Sequence, residues 1–384
     1  ESDAYEKISE KDRRNVSPGY FLRAKHFNIA LSLLSVVALY FLSRRYLPPL
    51  ESHVITWAFA WLLAVIRAPY VQPEVSFYVL FLIGLVMLWR LAVNPRWWLA
   101  ASVALVLAGA FLLKSTVLPL IALFLGVTGV WSGAALFQHW QRRESIAWRS
   151  LLKRVGTAAL VPAGFGAVLF PFFENTAAMH GSPLWDVHSR HYLWMDSDEE
   201  KRFWRKAGIS EPDFVAPEGR EVPTAATYLA THDAGQMVRR VVEGWGHTRN
   251  MIRDRYSALD FLVRRLAPIL LLFLVVAVWR RSRREMNRHW IEGLLVLGFF
   301  LGYGLLYCWY EAIGVGPRLA LALFLPALFF LVLAIHRLAA PVILRVYRWQ
   351  APLRVVVAVI LLAFVAAGAV GVVAQDLWVV EGGR

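Results

Sequence analysis

The chain has 384 residues, of which 58% are hydrophobic and only 18% are charged, and its formal net charge is +14. A soluble domain carries roughly 25% charged residues and 45–50% apolar ones, so this composition excludes an ordinary soluble protein. The apolar residues gather in runs close to the ~20 residues that cross a hydrocarbon core. The predicted fold class is therefore all-α, a polytopic helical membrane protein.

Ten apolar runs predict ten membrane-spanning helices, because a backbone in lipid must pair all its polar groups internally. They divide the chain into an outer loop over 1–26, a bundle of about six spans over 27–173, a large outer loop with helical parts over 174–264, and a bundle of about four spans over 265–384. The approximate spans are 27–43, 53–67, 74–92, 97–113, 116–137, 155–173, 265–280, 290–309, 318–336 and 353–375.

The distribution of lysine and arginine predicts the orientation of these spans. Alternate loops carry eighteen of these cations, and the short loops on the other side carry three, namely Arg67, Lys114 and Arg318. The cation-rich loops mark the cytoplasmic side, so 1–26, 174–264 and the C-terminal end face outward. Most of the positive charge therefore reflects the orientation of the spans. This distribution predicts membrane lipids, and not nucleic acid, as partners.

The large outer loop carries signals of helix formation. Ser197, followed three residues later by Glu200, predicts a capping box at a helix start. The stretch "AATYLATHDAGQMVRRVVEGW" has a mixed apolar periodicity that suits a helix on the membrane surface. Within it, His232 and Asp233 suit either acid–base chemistry or an ordinary first helical turn.

A second polar group in this loop raises the question of a metal. His188 and His191 are spaced as metal ligands can be, and Asp186 and Asp196 lie nearby in sequence. Solvated or hydrogen-bonded histidines explain the same residues. We therefore assign no metal ligand and no certain cofactor, and a divalent metal stays an open alternative.

Few charged residues stand at the outer ends of the spans, which makes each one informative. They are Arg67, Glu74, Lys114 and Arg318. An ionisable residue at membrane depth is costly and is a candidate functional residue by default. A long basic side chain can also snorkel to the headgroups. Three cations on one side, with a carboxylate nearby, favour the binding of an anion such as a lipid phosphate.

Several motifs, taken in order, resemble segments of the GT-C superfamily of membrane glycosyltransferases, and the dolichyl-phosphate-mannose-protein mannosyltransferase-like group above all. The resemblance covers nearly the whole chain and implies a GT-C fold, with a further span before Glu1 and at least eleven in the full protein. The motifs are "ESDAYEKI", "RAPYVQPEVSFYVLFLI", "LAGAFLLKSTVLPLIAL", "MHGSPLWDVHSRHYLWMDSDEE" and "GPRLALALFLPALFFL".

The resemblance implies an inverting transfer of a sugar from a polyprenyl-phosphate donor to a protein, lipid or glycan acceptor. The active side then faces the periplasm or the exterior of a bacterial or archaeal cytoplasmic membrane. Asp3 matches the acidic position of the first outer loop, which implies that it is the general base. Lys114 and Arg318 match motif positions that would stabilise the departing phosphate, with Arg67 as a third cation.

The remaining implied roles concern substrate orientation. Glu74 matches a Pro-Glu segment and would orient a sugar hydroxyl or pair with Arg67. Tyr5 would stack on sugar, as would the aromatic residues Trp185, Tyr192 and Trp194, although such residues also populate interfacial belts. Glu1 is an alternative base or orienting group.

Two other classes of function remain open at this stage. A non-catalytic membrane scaffold subunit of the same fold would keep the spans and lose the site. A transporter would require broken helices at corresponding places in two repeated halves, and the sequence has no such internal symmetry.

Overall fold

The computed structural model describes residues 18–65, 68, 73–142, 148–184, 190–211, 214–255, 290–314, 318–339, 343–346, 349–363 and 365–367. This part of the chain is helical, as the sequence predicts, and it contains one short hairpin in addition. Strand β1 (Ile343–Val346) pairs antiparallel with β2 (Trp349–Pro352) in the register Ile343 to Pro352.

An apolar helix, Leu353–Ala367, follows β2, and eleven other helices are numbered in chain order. They are α1 (Pro18–Arg44), α2 (Pro49–Phe59), α3 (Glu74–Val93), α4 (Trp97–Leu113), α5 (Leu118–Arg142), α6 (Trp148–His180), α7 (Asp198–Lys206), α8 (Ala225–Thr231), α9 (Ala234–Arg255), α10 (Trp290–Tyr310) and α11 (Arg318–Ala339). Single 3₁₀ turns cover Ser115–Val117, Tyr192–Trp194 and Glu311–Ile313.

Five segments of the described chain are long and apolar enough to span a membrane, which indicates membrane association. They are Phe21–Arg44, Glu74–Val93, Ser115–Gln141, Trp148–His180 and Trp290–Ile313. The apolar helices Trp97–Leu113, Leu321–Arg337 and Leu353–Ala367 are shorter.

The prediction of about ten spans is therefore confirmed only in part. The expected span over 53–67 is helical from Pro49 to Val65 and contains a π-helical turn at Ala60–Ala64. The expected span over 265–280 lies outside the described residues. By contrast, α6 outruns its predicted range and has 33 residues. At 1.5 Å per residue it is about 50 Å long, more than a ~30 Å hydrocarbon core requires.

The chain forms two compact units. The first comprises residues 1–79 and 328–384. In it α1 packs on α2, and the hydroxyl of Ser35 lies 3.3 Å from that of Ser76. Buried Glu51 lies 3.4 Å from Nδ1 of His336.

The second unit comprises residues 80–327. Its apolar part is built on the contact of α4 with α6, where the buried rings of Phe111 and Phe165 pack edge to face with centroids 5.5 Å apart. An added Cβ at Gly164 would lie 2.9 Å from the Cβ of Ala104. Small residues at such a point let two helices approach closely in a membrane, where no difference in apolarity drives them together.

A polar helical segment of the second unit, here called the cap, covers the described residues 190–211 and 214–255. Its helix α7 begins after Ser197, whose hydroxyl accepts a hydrogen bond from the Glu200 amide at 3.1 Å. The predicted capping box is confirmed in this half only, because Glu200 Oε2 accepts instead from the amide of Asp196 at 2.8 Å. Helix α8 starts with a complete box between Thr224 and Thr227.

Candidate functional site

A polar cavity of about 380 Å³ lies where α8 and α9 meet the C-terminal end of α10. Pockets that bind small molecules commonly span roughly 300–1,000 Å³. The walls combine carboxylates, histidines, arginines and an aromatic ring. The lining residues are Asp196, Tyr228, His232, Gln236, Arg239, Arg240, Glu243, Gly244, His247, Glu311 and Ala312.

The cavity owes its position to a close contact between the backbones of α9 and α10. An added Cβ at Gly244 would collide with the carbonyl oxygen of Cys308 and would lie 2.7 Å from its carbonyl carbon. Only glycine fits there, because neither of these backbone atoms can rotate away. The contact places Arg240 and His247, one turn to either side of Gly244, against the end of α10.

Arg240 fastens α9 to the rest of the cap and to α10. Its side chain is 7% exposed and makes four hydrogen bonds. Nε donates to the carbonyl of Trp309 at 3.1 Å, and Nη1 donates to Asp196 Oδ1 at 3.3 Å. Nη2 donates to the carbonyls of Leu193 at 3.3 Å and Met195 at 2.7 Å. A planar guanidinium suits this role because its donors are fixed in several directions.

Aromatic rings complete the surroundings of the Arg240 cation. The guanidinium carbon lies 4.5 Å from the ring centroid of Trp309 and 5.2 Å from that of Tyr228, within the range of cation–π attraction. The indole of Trp309 donates to the Leu193 carbonyl at 2.7 Å. Trp194, one of the aromatic residues that could stack on sugar, packs against Tyr228 and Trp309, with centroids 5.9 and 6.1 Å away.

Asp196 joins Arg240 to His232. One carboxylate oxygen receives the bond from Arg240, and the other lies 3.1 Å from Nε2 of His232. The imidazole stacks on Tyr228 with a centroid separation of 3.9 Å, and its Nδ1 lies 3.0 Å from the Tyr228 carbonyl. Asp233 differs, since it accepts from the Gln236 amide at 2.8 Å and caps α9. Of the two interpretations of this pair, a position in a polar site therefore suits His232, which lines the cavity, and an ordinary first helical turn suits Asp233.

Several polar groups of the cavity remain open to a ligand. Within the described chain, no hydrogen bond or ion pair engages the side chains of Glu311, Glu243 or Arg239. Glu311 is half-buried just beyond α10, and His247 is close enough to act on it electrostatically. Carboxylates accept hydrogen bonds and guanidinium groups donate them. The cavity is therefore equipped for a ligand rich in hydroxyl groups.

The histidine pattern that suggested a possible metal site has another explanation at one position. Among the described residues, no three His, Cys, Asp or Glu side chains are grouped so as to hold a metal ion. His191 is buried, and its Nδ1 lies 2.8 Å from the carbonyl of Pro223. Burial lowers the pKa of His191 from its ordinary value of 6.5, with Arg190 acting in the same direction. His188 and Asp186 lie outside the described residues.

Lys114, a predicted phosphate ligand, lies near the same end of α10 as the cavity. It follows α4 and begins the 3₁₀ turn Ser115–Val117. Buried Tyr303 of α10 holds this turn, because its hydroxyl donates to the Thr116 carbonyl at 2.7 Å. Tyr303 precedes Glu311 by eight residues, which corresponds to about 12 Å along a helix.

Arg318 begins α11, four residues after Gly314. Four extended residues span at most about 14 Å, so its backbone lies within that distance of Gly314. Two of the predicted phosphate ligands thus belong to the region around the C-terminal end of α10.

The remaining predicted residues belong to the first unit or lie outside the described ranges. Glu74 is the first residue of α3, is buried, and belongs to the first unit. Five of the predicted residues lie outside the described ranges, namely Glu1, Asp3, Tyr5, Arg67 and Trp185.

Sequence reasoning did not select Arg240, His247 or Glu311. A usable signal existed for Glu311, since it is an acidic residue directly after an apolar run of membrane length. Arg240 and His247 had no comparable signal, because other polar residues surround them. No protein-family model matches the chain, and neither a curated protein nor a solved structure matches it significantly.

Proposed function

We propose that the chain is a membrane glycosyltransferase of the GT-C kind, which transfers a sugar from a polyprenyl-phosphate donor to an acceptor at the outer face of a cytoplasmic membrane. The observation that carries the proposal is the polar cavity at the end of α10, with open carboxylate and guanidinium groups and with the Lys114 turn nearby. Carboxylates accept hydrogen bonds from sugar hydroxyls, and cations stabilise a phosphate, so these groups suit a polyprenyl-phosphate sugar.

The transfer gives each proposed residue a chemical role. An acceptor hydroxyl attacks the anomeric carbon, the bond from that carbon to the phosphate oxygen breaks, and the hydroxyl proton passes to a base. Asp3 is the proposed base. Lys114, Arg318 and Arg67 stabilise the negative charge of the leaving phosphate.

Substrate orientation falls to a second group of residues. Glu74, Tyr5 and Glu1 are proposed to orient the donor sugar. In the cavity, Glu311 and Glu243 accept hydrogen bonds from sugar hydroxyls, and Arg239 donates to hydroxyl oxygens. None of these steps calls on a metal ion.

Sugar transfer in proteoliposomes tests the proposal. The purified chain is supplied with polyprenyl-phosphate hexoses and a lipid-linked acceptor, and the labelled product is counted. Asp3→Asn should lose about 10²-fold or more of the activity, as removal of a general base does. Lys114→Gln and Arg318→Gln should lose comparable factors, as removal of an electrostatic stabiliser does.

Lys153→Gln is the control, because Lys153 is exposed at the start of α6 and has no proposed role. Full activity of Asp3→Asn would remove Asp3 as the base. Unchanged activity in all three variants would remove the proposed function.

A scaffold subunit is the second candidate, and one observation favours it. Arg240, Asp196 and His232 bond to one another and to the backbone, as residues of a purely structural brace would. Such a subunit, having lost the site, would neither bind polyprenyl-phosphate hexose saturably nor turn it over. The absence of both saturable binding and product formation, under conditions that include candidate acceptors, would favour the scaffold.

A further inference from the structure

Helix α9 has an exposed apolar stripe formed by Val238, Val242 and Trp245. At 100° per residue these side chains fall within about 60° around the helix axis. They are 63%, 63% and 60% exposed. Large exposed apolar patches next to polar residues mark sites of contact with protein or membrane.

Two other sides of α9 have contacts or line the cavity. Arg240 and Gly244 pack against the end of α10. Gln236, Arg239 and Glu243 line the cavity. The stripe lies on a different side of the helix from both sets, so α9 separates the polar cavity from an exposed apolar surface.

The neighbouring helix indicates what covers this stripe. Leu297, Leu301 and Leu305 of α10 recur every four residues and are 58%, 57% and 56% exposed. An exposed leucine stripe on a helix of membrane length suits contact with lipid. Gly244 contacts the backbone of Cys308, about one turn beyond Leu305. The lipid-facing surface of α10 therefore ends next to the point where α9 crosses it.

The residue types of α9 suit the boundary between headgroups and acyl chains. Tryptophan is enriched at this depth because its ring is amphipathic. Arg249 continues the stripe one turn beyond Trp245 and is exposed, so it can reach lipid phosphates. Arginine together with Trp and aliphatic residues is typical of helices that lie in the interface.

We propose that α9 lies in the interfacial layer of the bilayer, with the stripe of Val238, Val242 and Trp245 in the lipid and the cavity on its aqueous side. The occupant of the stripe is phospholipid. The arrangement sets the cavity at the level of the headgroups, where the polar part of a lipid-linked molecule is found. It does not depend on sugar transfer and holds for a scaffold subunit as well.

Spin labelling in vesicles tests this placement. The chain has a single cysteine, Cys308, so a Cys308→Ala background accepts a nitroxide at one chosen position. Val238→Cys and Val242→Cys carry the label on the stripe, and Asn250→Cys carries it on the exposed polar side. Each protein is reconstituted in vesicles of neutral and anionic phospholipid, and collisions with oxygen and with a water-soluble nickel complex are measured.

The ratio of oxygen to nickel collisions should be severalfold higher at positions 238 and 242 than at 250, because oxygen concentrates in acyl chains. Equal ratios would mean that the stripe faces water, and protection from both reagents would mean that protein covers it. Either result overturns the proposal. In the unsubstituted protein, a phospholipid with a photoreactive acyl chain should label the peptide that carries Val238–Trp245, and its absence from the labelled peptides would also contradict the placement.

Discussion

Among the helix contacts of the second unit that involve glycine, those at Gly164 and Gly244 differ in what the glycine meets. Gly164 of α6 faces the Cβ of Ala104, within a bundle of apolar side chains. Gly244 of α9 faces the backbone carbonyl of Cys308, next to the bonds of Arg240. The bundle can redistribute a misfit over many small contacts. The cap cannot, because its contact combines rigid backbone atoms with one buried cation.

Removal of the Arg240 cation should break the cap contact most severely. Arg240→Met keeps an apolar stem but removes the Arg240 donors to the carbonyls of Met195 and Trp309. The carbonyl of Leu193 loses one of its two donors and keeps the indole of Trp309. A buried group that loses its partner costs about 1–3 kcal/mol, and we expect a total loss of about 3 kcal/mol or more in the free energy of unfolding. Arg240→Lys should recover only part of it, because an ammonium cannot reproduce the fork.

The adjacent arginine provides a matched control for this prediction. Arg239 is exposed and makes no hydrogen bond within the described chain, so Arg239→Met should change stability by less than about 0.5 kcal/mol. The thermal midpoint in detergent and hydrogen exchange of cap peptides measure both variants. Equal exchange rates in the Arg240→Met and Arg239→Met proteins would contradict the assigned role of Arg240.

A methyl group at Gly244 should separate α9 from α10. Gly244→Ala meets the Cys308 carbonyl, and overpacking of this kind costs about 1–3 kcal/mol. Gly246→Ala is the control on the same helix, since nothing lies within 4 Å of its added Cβ. That variant should be neutral, or more stable by up to about 1 kcal/mol through helix propensity. Faster hydrogen exchange in α9 of the first variant alone is the expected result.

These two pairs show where sequence reasoning ends. Arg239 and Arg240 are adjacent in sequence, and only one residue separates Gly244 from Gly246. No local pattern says which member of each pair faces α10. That choice is made by the helix phase relative to a partner distant in sequence. Fold class was easier to predict, because long apolar runs specify helices such as α3, α5 and α10 by length and solvation alone.

In the candidate site, too, some residues could be predicted from the sequence and others could not. Topology placed Lys114 and Arg318 at one end of the spans, and the structure puts both near the C-terminal end of α10. The sequence did not indicate that Glu311 would share a cavity with Asp196 and His232, since more than 70 residues separate them. The assignment of Asp3 as a base stays a prediction.

The bundle contact at Gly164 should be the more tolerant of the two. Gly164→Ala brings a Cβ to 2.9 Å from that of Ala104, and the adjoining apolar side chains can yield. We expect a loss of about 1 kcal/mol or less, because strain is partly offset by helix propensity. Gly166→Ala has nothing within 4 Å of its added Cβ and serves as the control. A larger loss of thermal stability at Gly164 than at Gly244 would reverse the comparison between bundle and cap.

A fall in pH should lower the stability of the cap and leave that of the bundle nearly unchanged. The expected loss is smaller than that from the substitutions at Arg240, Gly244 and Gly164. His191 is buried, its pKa is lowered from 6.5, and a neutral ring can donate from Nδ1 to the carbonyl of Pro223. Below about pH 6.5 the unfolded chain therefore binds more protons at this residue than the folded chain. The contribution of His191 is complete above pH 6.5 and is lost as the pH falls towards the lower folded pKa.

The substitution His191→Asn tests this pH dependence. An asparagine amide can replace the donor to Pro223 and does not titrate, so the variant should have a flatter dependence of cap stability on pH below about 6.5. Hydrogen exchange of cap and bundle peptides across this pH range separates the two regions. If the His191→Asn and wild-type proteins kept identical slopes, the buried ring would not be the source of the acid sensitivity, and the cap would owe it to another of its titratable groups.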